Sequence, residues 1–290
     1  MTPAGWRTSG RSVAILLAGS PGSGKSTSLG EVFSRGDDEV TGGRPREAFT
    51  VIDADEVKGR LIEQARCDGS LESFIKPGVV RDLEAVGEVF SDLDLASLVH
   101  EESSMIARKV RIRAVSERRD LVVDQVCSSP RKTAELVDEL VASGYRVSVV
   151  EINATREFSL ESTFGRYVAV AADGGQARRV PTEVVENVFD TDGSSRPRQS
   201  VEALLCREPC PVAAWRRYDA IVPGAPLVLT QQGSRGSDGV MRRVAPQPLQ
   251  APRRRSKTDV LAGRDERARQ LLERSRRLPD AARRRPDLGR

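Results

Sequence analysis

Residues 13–27 read VAILLAGSPGSGKST, and this stretch decides the expected fold. It begins with an apolar run of strand length, Val13–Ala18, continues through a glycine-rich loop and leads into a helix-compatible stretch, Ser26–Ser34. The loop satisfies GxxxxGKS/T, the phosphate-binding motif, in the strand–loop–helix context that this motif requires. A plain glycine-rich turn would need neither the lysine nor the hydroxyl. We therefore expect a loop that binds the phosphates of a nucleotide.

Each part of this loop has a physical role in holding phosphate. Glycine is needed where a Cβ would keep an anion away from backbone N–H groups, or where φ is positive. Lys25 supplies a positive charge for the β- and γ-phosphates, and the Ser26 hydroxyl is the expected metal ligand. These residues predict ATP or GTP with Mg²⁺, and ATP is favoured because no guanine-reading NKxD motif occurs. The expected nucleotide-binding residues are Gly19, Ser20, Pro21, Gly22, Ser23, Gly24, Lys25, Ser26 and Thr27.

Apolar runs of strand length recur along the chain, with helix-compatible stretches between them. The predicted strands are Val13–Ala18, Phe49–Ile52, Leu121–Asp124, Arg146–Ile152 and Ala220–Val222. The predicted helices are Ser26–Ser34, Leu83–Leu98, Glu101–Glu117, Arg131–Ser143 and Thr155–Ala172. Short, continuous, β-branched runs are typical of buried parallel strands. The alternation predicts an α/β fold, a three-layer sandwich around a mostly parallel sheet.

The composition changes near residue 230, where Gln, Gly, Ser and Pro become frequent. This linker-like composition predicts one compact domain over residues 1–230 and a largely disordered tail over residues 231–290. Residues 251–290 hold 14 Lys and Arg against six Asp and Glu, whereas residues 1–250 carry a net charge of −4. The positive charge therefore belongs to a flexible basic tail, and we expect nucleic acid to bind weakly, if at all, through that tail.

Composition also argues against several classes of protein. No run of about 18 apolar residues occurs, so no membrane span is predicted. The polar start of the chain and the short first apolar run do not resemble a secretory signal, and we expect a cytoplasmic protein. Four scattered cysteines and the single histidine, His100, form no disulfide or zinc pattern. We expect His100 to be structural.

Two carboxylates follow the second predicted strand. Asp53 and Asp55 alternate, so on an extended strand they would share one face, at the edge where open α/β sheets bind ligands. A carboxylate beside a γ-phosphate can accept the proton of an attacking hydroxyl, which favours a small kinase. We expect Asp55 to be the base and Asp53 to bind substrate, although either could instead cap the following helix.

Three motifs together resemble the zeta toxins, which are P-loop kinases of toxin–antitoxin systems. They are AGSPGSGKST at 18–27, VIDADEVK at 51–58 and SLESTFGRYVAVAADGGQARRVP at 159–181. The resemblance implies that Asp55 is the catalytic base and that Arg166 and Arg178, on a later helix and lid, reach the phosphates. Arg179 would take the second position if the lid is shifted by one residue. Guanidinium groups of this kind stabilise the charge of a phosphoryl group in flight.

The resemblance also implies a substrate and a partner. Zeta toxins transfer the γ-phosphate of ATP to the 3′-hydroxyl of the amino sugar in UDP-N-acetylglucosamine, and an antitoxin protein is a possible partner. Glu101 and Glu102 are candidate contacts to the sugar hydroxyls, although acids in a first helical turn need no further role. After the third strand the family has a Gly–Thr segment, whereas this chain reads Gln125-Val126-Cys127-Ser128-Ser129. One hydroxyl contact to substrate is therefore lost unless Ser128 or Ser129 replaces it.

Two other functions remain open from the sequence. The chain could be another small P-loop kinase that acts on an antibiotic or metabolite hydroxyl, similar to the chloramphenicol phosphotransferases. It could also be a nucleotide-dependent binding module that acts through its basic tail. Activity on a different alcohol would distinguish the first alternative, and salt-sensitive binding that is lost with residues 231–290 would distinguish the second.

Overall fold

The computed structural model describes residues 10–91, 93–172 and 179–246. Within these residues the strands form one sheet in the order β2-β3-β1-β4-β5-β6-β7. They are β1 Val13–Gly19, β2 Phe49–Asp53, β3 Asp120–Gln125, β4 Arg146–Ala154, β5 Val212–Ala220, β6 Val228–Arg235 and β7 Met241–Val244. Strands β1 to β5 run parallel, and β6 and β7 extend one edge in antiparallel fashion. The predicted α/β fold with a mostly parallel sheet is confirmed.

Helices cover both faces of the sheet. They are α1 Lys25–Ser34, α2 Asp38–Thr41, α3 Ala54–Cys67, α4 Gly78–Ala85, α5 His100–Ser116, α6 Pro130–Ala142, α7 Arg156–Ala172, α8 Thr182–Glu186 and α9 Arg196–Leu205. Two 3-10 segments, Arg46–Ala48 and Asp94–Val99, and a π-turn at Leu71–Ile75 connect them. In the described part of the chain, no helix combines the length and the apolar character that a bilayer crossing requires.

Strand β1 lies in the middle of the five parallel strands, and all of its residues are buried. Ala14 and Leu16 belong to a core cluster that includes residues of α5, α6 and α9. Ile15 and Leu17 belong to the opposite cluster, with residues of α1, α2 and α7. Because successive side chains of a strand point to opposite faces, β1 supports both layers of helices at once. The glycine-rich loop therefore starts from the most completely buried strand of the molecule.

The first four predicted strands agree with β1 to β4, but the fifth prediction is wrong. Strand β5 spans Val212–Ala220 rather than Ala220–Val222. Charged residues interrupt its apolar pattern, yet Arg216 and Arg217 are buried. Arg216 pairs with Asp37 at 2.7 Å, so tertiary ion pairs make these charges compatible with a buried strand.

The predicted helix Leu83–Leu98 is also wrong. Helix α4 ends at Ala85, and Gly87 follows it with φ of +101°, a conformation that favours glycine and cannot continue a helix. A 3-10 segment, Asp94–Val99, then leads directly into α5. The predicted helices near α1, α5, α6 and α7 agree with the structure to within one or two residues.

The structure differs from the predicted domain boundary near residue 230. Strand β6 continues through that point and pairs with β5, and β7 pairs with β6. The Gln-, Gly- and Ser-rich stretch therefore forms polar edge strands, which carry fewer apolar residues because one face is open to solvent. Compact structure extends to Pro246. The remainder of the predicted basic tail, residues 247–290, lies outside the described residues.

A buried ion pair joins β4 to β5. Arg217 Nε lies 3.1 Å from Glu151 Oε1, and both side chains are almost fully buried. Trp215 Nε1 donates to Glu151 Oε2 at 3.0 Å. Arg217 also pairs with Glu202 of α9, and the guanidinium groups of Arg217 and Arg243 lie over the Trp215 ring. Each charge in this network is balanced by its neighbours, so removal of one member leaves a buried charge uncompensated.

We predict that Arg217→Ala lowers the free energy of unfolding by about 3–5 kcal/mol, because Glu151 would remain buried without its partner. Chemical denaturation of purified protein measures this change. The matched control is Arg131→Ala, which removes an exposed ion pair with Glu135 and should cost at most about 1 kcal/mol. Equal losses of unfolding free energy in the two variants would contradict the stabilising role of the buried Arg217–Glu151 pair.

Candidate functional site

At two positions between the end of β1 and the start of α1, the space around the backbone has room only for glycine. A Cβ at Gly19 would lie 2.7 Å from Ser23 Oγ and 3.0 Å from the Ile152 carbonyl oxygen. Gly22 has φ of +75°, and a Cβ there would lie 2.7 Å from Thr163 Cγ2. Close packing therefore requires glycine at both positions, and at Gly22 the backbone conformation favours glycine as well.

The start of α1 can accept an anion. Gly24 caps the helix in a left-handed conformation, and none of the described side chains caps its first N–H groups. Ser23 Oγ is buried and has no hydrogen-bond partner within the described part of the chain. Unsatisfied N–H groups at a helix N-terminus, next to a glycine cradle, are what a phosphate requires. The predicted loop residues therefore fit a nucleotide phosphate.

Lys25 lies between the loop and strand β3. Its Nζ donates to the Gly19 carbonyl oxygen at 3.2 Å and lies 3.7 Å from Asp124 Oδ1. Burial raises the pKa of the Asp124 carboxyl, and the charge of Lys25 opposes that rise. The carboxylates of Asp53 and Asp55 add to the rise in the Asp124 pKa. The carboxylates of Asp53, Asp55 and Asp124 thus lie near the Lys25 ammonium group at the carboxyl edge of β2, β3 and β1.

Sequence reasoning did not assign a role to Asp124. The available signal was an apolar strand that ends in a carboxylate, Leu121-Val122-Val123-Asp124, next to β1 in a parallel sheet. Mg²⁺ takes one or two protein oxygens together with substrate phosphates. Asp124 and the exposed hydroxyl-bearing residue Ser26 are the oxygen ligands that would hold it here. Bound Mg²⁺ would neutralise charge on the phosphates.

Asp53 and Asp55 do not lie on one strand face, so that prediction is wrong. Strand β2 ends at Asp53, and α3 begins at the next residue. Asp53 is the N-cap, and its Oδ1 accepts a hydrogen bond from the Asp55 backbone N–H at 2.8 Å. Asp55 lies in the first helical turn, where its Oδ1 accepts from Lys58 Nζ at 2.8 Å. The side chain of Asp55 is 58% exposed at the ligand-binding edge, whereas Asp53 organises the turn.

Helix α7 packs directly on the loop. The Ser20 and Ser159 hydroxyl oxygens lie 2.7 Å apart, and Ser162 Oγ donates to the Gly22 carbonyl oxygen at 2.8 Å. Arg166 follows Ser162 by four residues, so it lies on the same face of the helix. It is exposed. The structure therefore brings Arg166 to the loop side of α7, one turn beyond the contacts.

The predicted lid is only partly described. Arg178 lies outside the described residues. The Arg179 backbone N–H donates to Asp94 Oδ1 at 3.3 Å, which links this segment to the 3-10 turn before α5. A cleft of about 220 Å³ separates α7 from the segment that carries Arg179, and its other lining residues are Leu160, Thr163, Phe164, Tyr167, Val180 and Thr182.

Glu101 and Glu102 occupy the first turn of α5, and both are exposed. No hydrogen bond or ion pair joins either one to the loop within the described residues. Cys127, in the segment that departs from the zeta toxins, is buried with φ of +59°. Burial raises the pKa of its thiol to about 12, so the thiol stays protonated and is not a nucleophile at neutral pH.

Comparison with known proteins relates this site to one family. The family model described as Zeta toxin matches residues 79–201, a range that includes Asp124 and Arg166 but not the loop at 19–27. No curated protein sequence matches the chain.

The solved AvrRxo1 structures show the same fold. The AvrRxo1-ORF1:AvrRxo1-ORF2 structure with sulphate ions has a TM-score of 0.53 at 17% identity, over 80% of this chain and 60% of that chain. The complex with ATP has a TM-score of 0.52 at 17% identity, over 81% and 61% of the two chains. The PezAT toxin–antitoxin system of Streptococcus pneumoniae has a TM-score of 0.47 at 16% identity, over 73% and 70%.

The chain spans about 60% of the length of the AvrRxo1 chains that it matches. At 17% identity, these structures confirm the fold. The range matched by the family model contains Asp124 and all of α7. Over residues 79–201, the chain is similar to the zeta toxins, as its sequence motifs predict.

Proposed function

We propose that the protein is an ATP-dependent phosphotransferase that moves the γ-phosphate of ATP to an alcohol. The observation that carries this proposal is the position of Lys25, which lies 3.7 Å from Asp124 at the edge where Asp55 is exposed. Lys25 would bind the β- and γ-phosphates, and Asp124 with Ser26 would hold Mg²⁺. Asp55 would accept the proton of the attacking hydroxyl.

Charge on the transferring group requires a second set of cations. Arg166 lies on the loop side of α7, and Arg178 follows on the predicted lid, with Arg179 as the alternative. Guanidinium groups near the γ-phosphate would stabilise charge that develops on its oxygens in the transition state. Because Lys25 is a single point charge, the arginines would supply the planar donors that a spreading charge needs.

For the acceptor, we propose the 3′-hydroxyl of the amino sugar of UDP-N-acetylglucosamine. The similarity to the zeta toxins over residues 79–201 supports this choice. Asp53, Glu101 and Glu102 are the proposed acceptor contacts, although Asp53 also caps α3. An antitoxin is the proposed partner, since AvrRxo1-ORF1 and PezAT were both solved as systems of two components.

The direct experiment incubates the protein with ATP, Mg²⁺ and UDP-N-acetylglucosamine, and mass spectrometry of the sugar nucleotide follows the reaction. One added phosphate on the amino sugar is the expected result. A panel of other alcohols, including chloramphenicol, runs in parallel. If only another alcohol is phosphorylated, the proposed acceptor is wrong and the proposed enzyme class stands. If no alcohol in the panel is phosphorylated, the proposal of a phosphotransferase is rejected.

We predict that Asp124→Asn lowers kcat by about 10²-fold, because a Mg²⁺ ligand is lost. The same variant should not lose folding free energy at pH 7. Burial raises the pKa of Asp124 in the folded state, so its ionisation disfavours folding once the pH exceeds the unfolded pKa. Lys25→Ala serves as the inactive reference. Steady-state kinetics and thermal melts measure both effects, and unchanged kcat for Asp124→Asn would remove it from the site.

Asp55→Asn should keep nucleotide affinity and lower transfer by about 10²-fold or more, since the amide cannot accept the proton. Asp53→Asn is the matched comparison. It retains an oxygen that can cap α3 and should therefore stay within about tenfold of wild type. Calorimetric titration with ATP and single-turnover assays separate binding from chemistry. A large loss for Asp53→Asn with none for Asp55→Asn would exchange their roles.

Arg166→Ala should lower kcat more than it raises KM for ATP, because the charge that the arginine meets is largest in the transition state. The loss should reach about tenfold or more. Arg156→Ala is the control on the same helix, since Arg156 is exposed and pairs only weakly with Glu157 at 3.5 Å. Kinetics at two ionic strengths complete the test. Parallel losses that fade with salt in both variants would indicate general screening instead.

A further inference from the structure

We propose that Ser162 of helix α7 is a positioning residue for the phosphate loop, and that it acts through the peptide between Gly22 and Ser23. This inference rests on the proposed function. It concerns the contacts between α7 and the phosphate loop. Neither the phosphate-binding motif nor the family match identifies these contacts. The four positions involved are Ser159, Ser162, Thr163 and Gly22.

The contact between α7 and the loop is close, and most of its side chains are buried. Ser20 and Ser159 are 1% and 0% exposed, and their hydroxyl oxygens lie 2.7 Å apart. Thr163 is 4% exposed and directs its methyl group toward Gly22, because its hydroxyl donates to the Ser159 and Leu160 carbonyl oxygens. Short side chains of α7, two serines and a threonine, therefore make the contacts with the loop.

The hydrogen bond from Ser162 has a directional consequence. In a trans peptide the C=O and N–H groups point in opposite directions. Because Ser162 Oγ holds the Gly22 carbonyl at 2.8 Å, the Ser23 N–H must point away from α7. It donates to the Ser20 carbonyl oxygen at 3.2 Å, so both polar groups of the Gly22–Ser23 peptide are held. Gly22 has no Cβ and a positive φ, so its peptide can turn more easily once the bond from Ser162 is lost.

The same contacts place Arg166. Ser159, Ser162, Thr163 and Arg166 are spaced as i, i+3, i+4 and i+7, which is one face of a helix. These contacts thus hold the loop that receives the β-phosphate in a fixed position relative to the helix that carries Arg166. Ser162 does not need to touch the nucleotide. It fixes the Gly22–Ser23 peptide, and with it the shape of the loop, relative to the helix that carries Arg166.

The test compares Ser162→Ala and Ser162→Thr with wild type. Hydrogen exchange of the amides at residues 20–24 reports the loop directly, without a nucleotide. Calorimetric titrations with ADP and AMP report phosphate binding, because only ADP carries the β-phosphate that the loop reads. We expect faster exchange and about fivefold weaker ADP binding in Ser162→Ala, the usual weight of one neutral hydrogen bond. AMP affinity should not change, and Ser162→Thr should restore both properties.

Ser116→Ala is the matched control, because Ser116 also donates its hydroxyl to a backbone carbonyl oxygen but does so within its own helix, at the last residue of α5. It should leave both measurements at their wild-type values. Unchanged exchange in Ser162→Ala would overturn the proposal, as would equal losses for ADP and AMP, which would indicate a purely structural effect. A wild-type protein that binds no ADP would overturn the proposed function and the positioning role together. The exchange measurement needs no nucleotide, so it would still report whether the Ser162 hydrogen bond restrains the loop. A failure of the proposed function can therefore be distinguished from a failure of the contact.

Discussion

Close backbone packing around the phosphate loop is the constraint on which the rest of this structure depends. At Gly19 and Gly22 no Cβ can be accommodated, because Ser23, the Ile152 carbonyl oxygen and Thr163 occupy the space. A loop packed this closely on three sides can present its N–H groups only in the direction that remains open. The position of the loop then depends on β1, β4 and α7 at once.

The parallel sheet brings the charged residues to this loop. Strand β1 lies between β3 and β4, and all three run in the same direction, so their carboxyl ends meet at one edge. Asp124 reaches Lys25 in this way although about 100 residues separate them in the chain. Burial is the main cause of the raised pKa of Asp124; the charge of Lys25 opposes the rise, and the carboxylates of Asp53 and Asp55 add to it. Such electrostatic strain is typical of sites that bind a cation or a charged ligand.

Elsewhere the molecule uses buried ion pairs to place charged residues in strands. Arg216 and Arg217 both lie in β5, and each is matched by carboxylates from other elements, α2 for the first and β4 with α9 for the second. These pairs join β5 to the start of α2, to β4 and to α9. They also explain why β5 is difficult to recognise as a strand from its residues alone.

The sequence by itself determined the phosphate loop, the first four strands, four of the helices and the α/β class, because each is a local pattern of apolar residues, glycines and a lysine. Through the resemblance to the zeta toxins it also predicted Asp55 and Arg166 as site residues. Only the tertiary structure decided that Asp124 faces Lys25 and that α7 packs on Gly22. It also extended the sheet past residue 230. These outcomes depend on contacts between residues far apart in the chain, and neither periodicity nor spacing encodes such contacts.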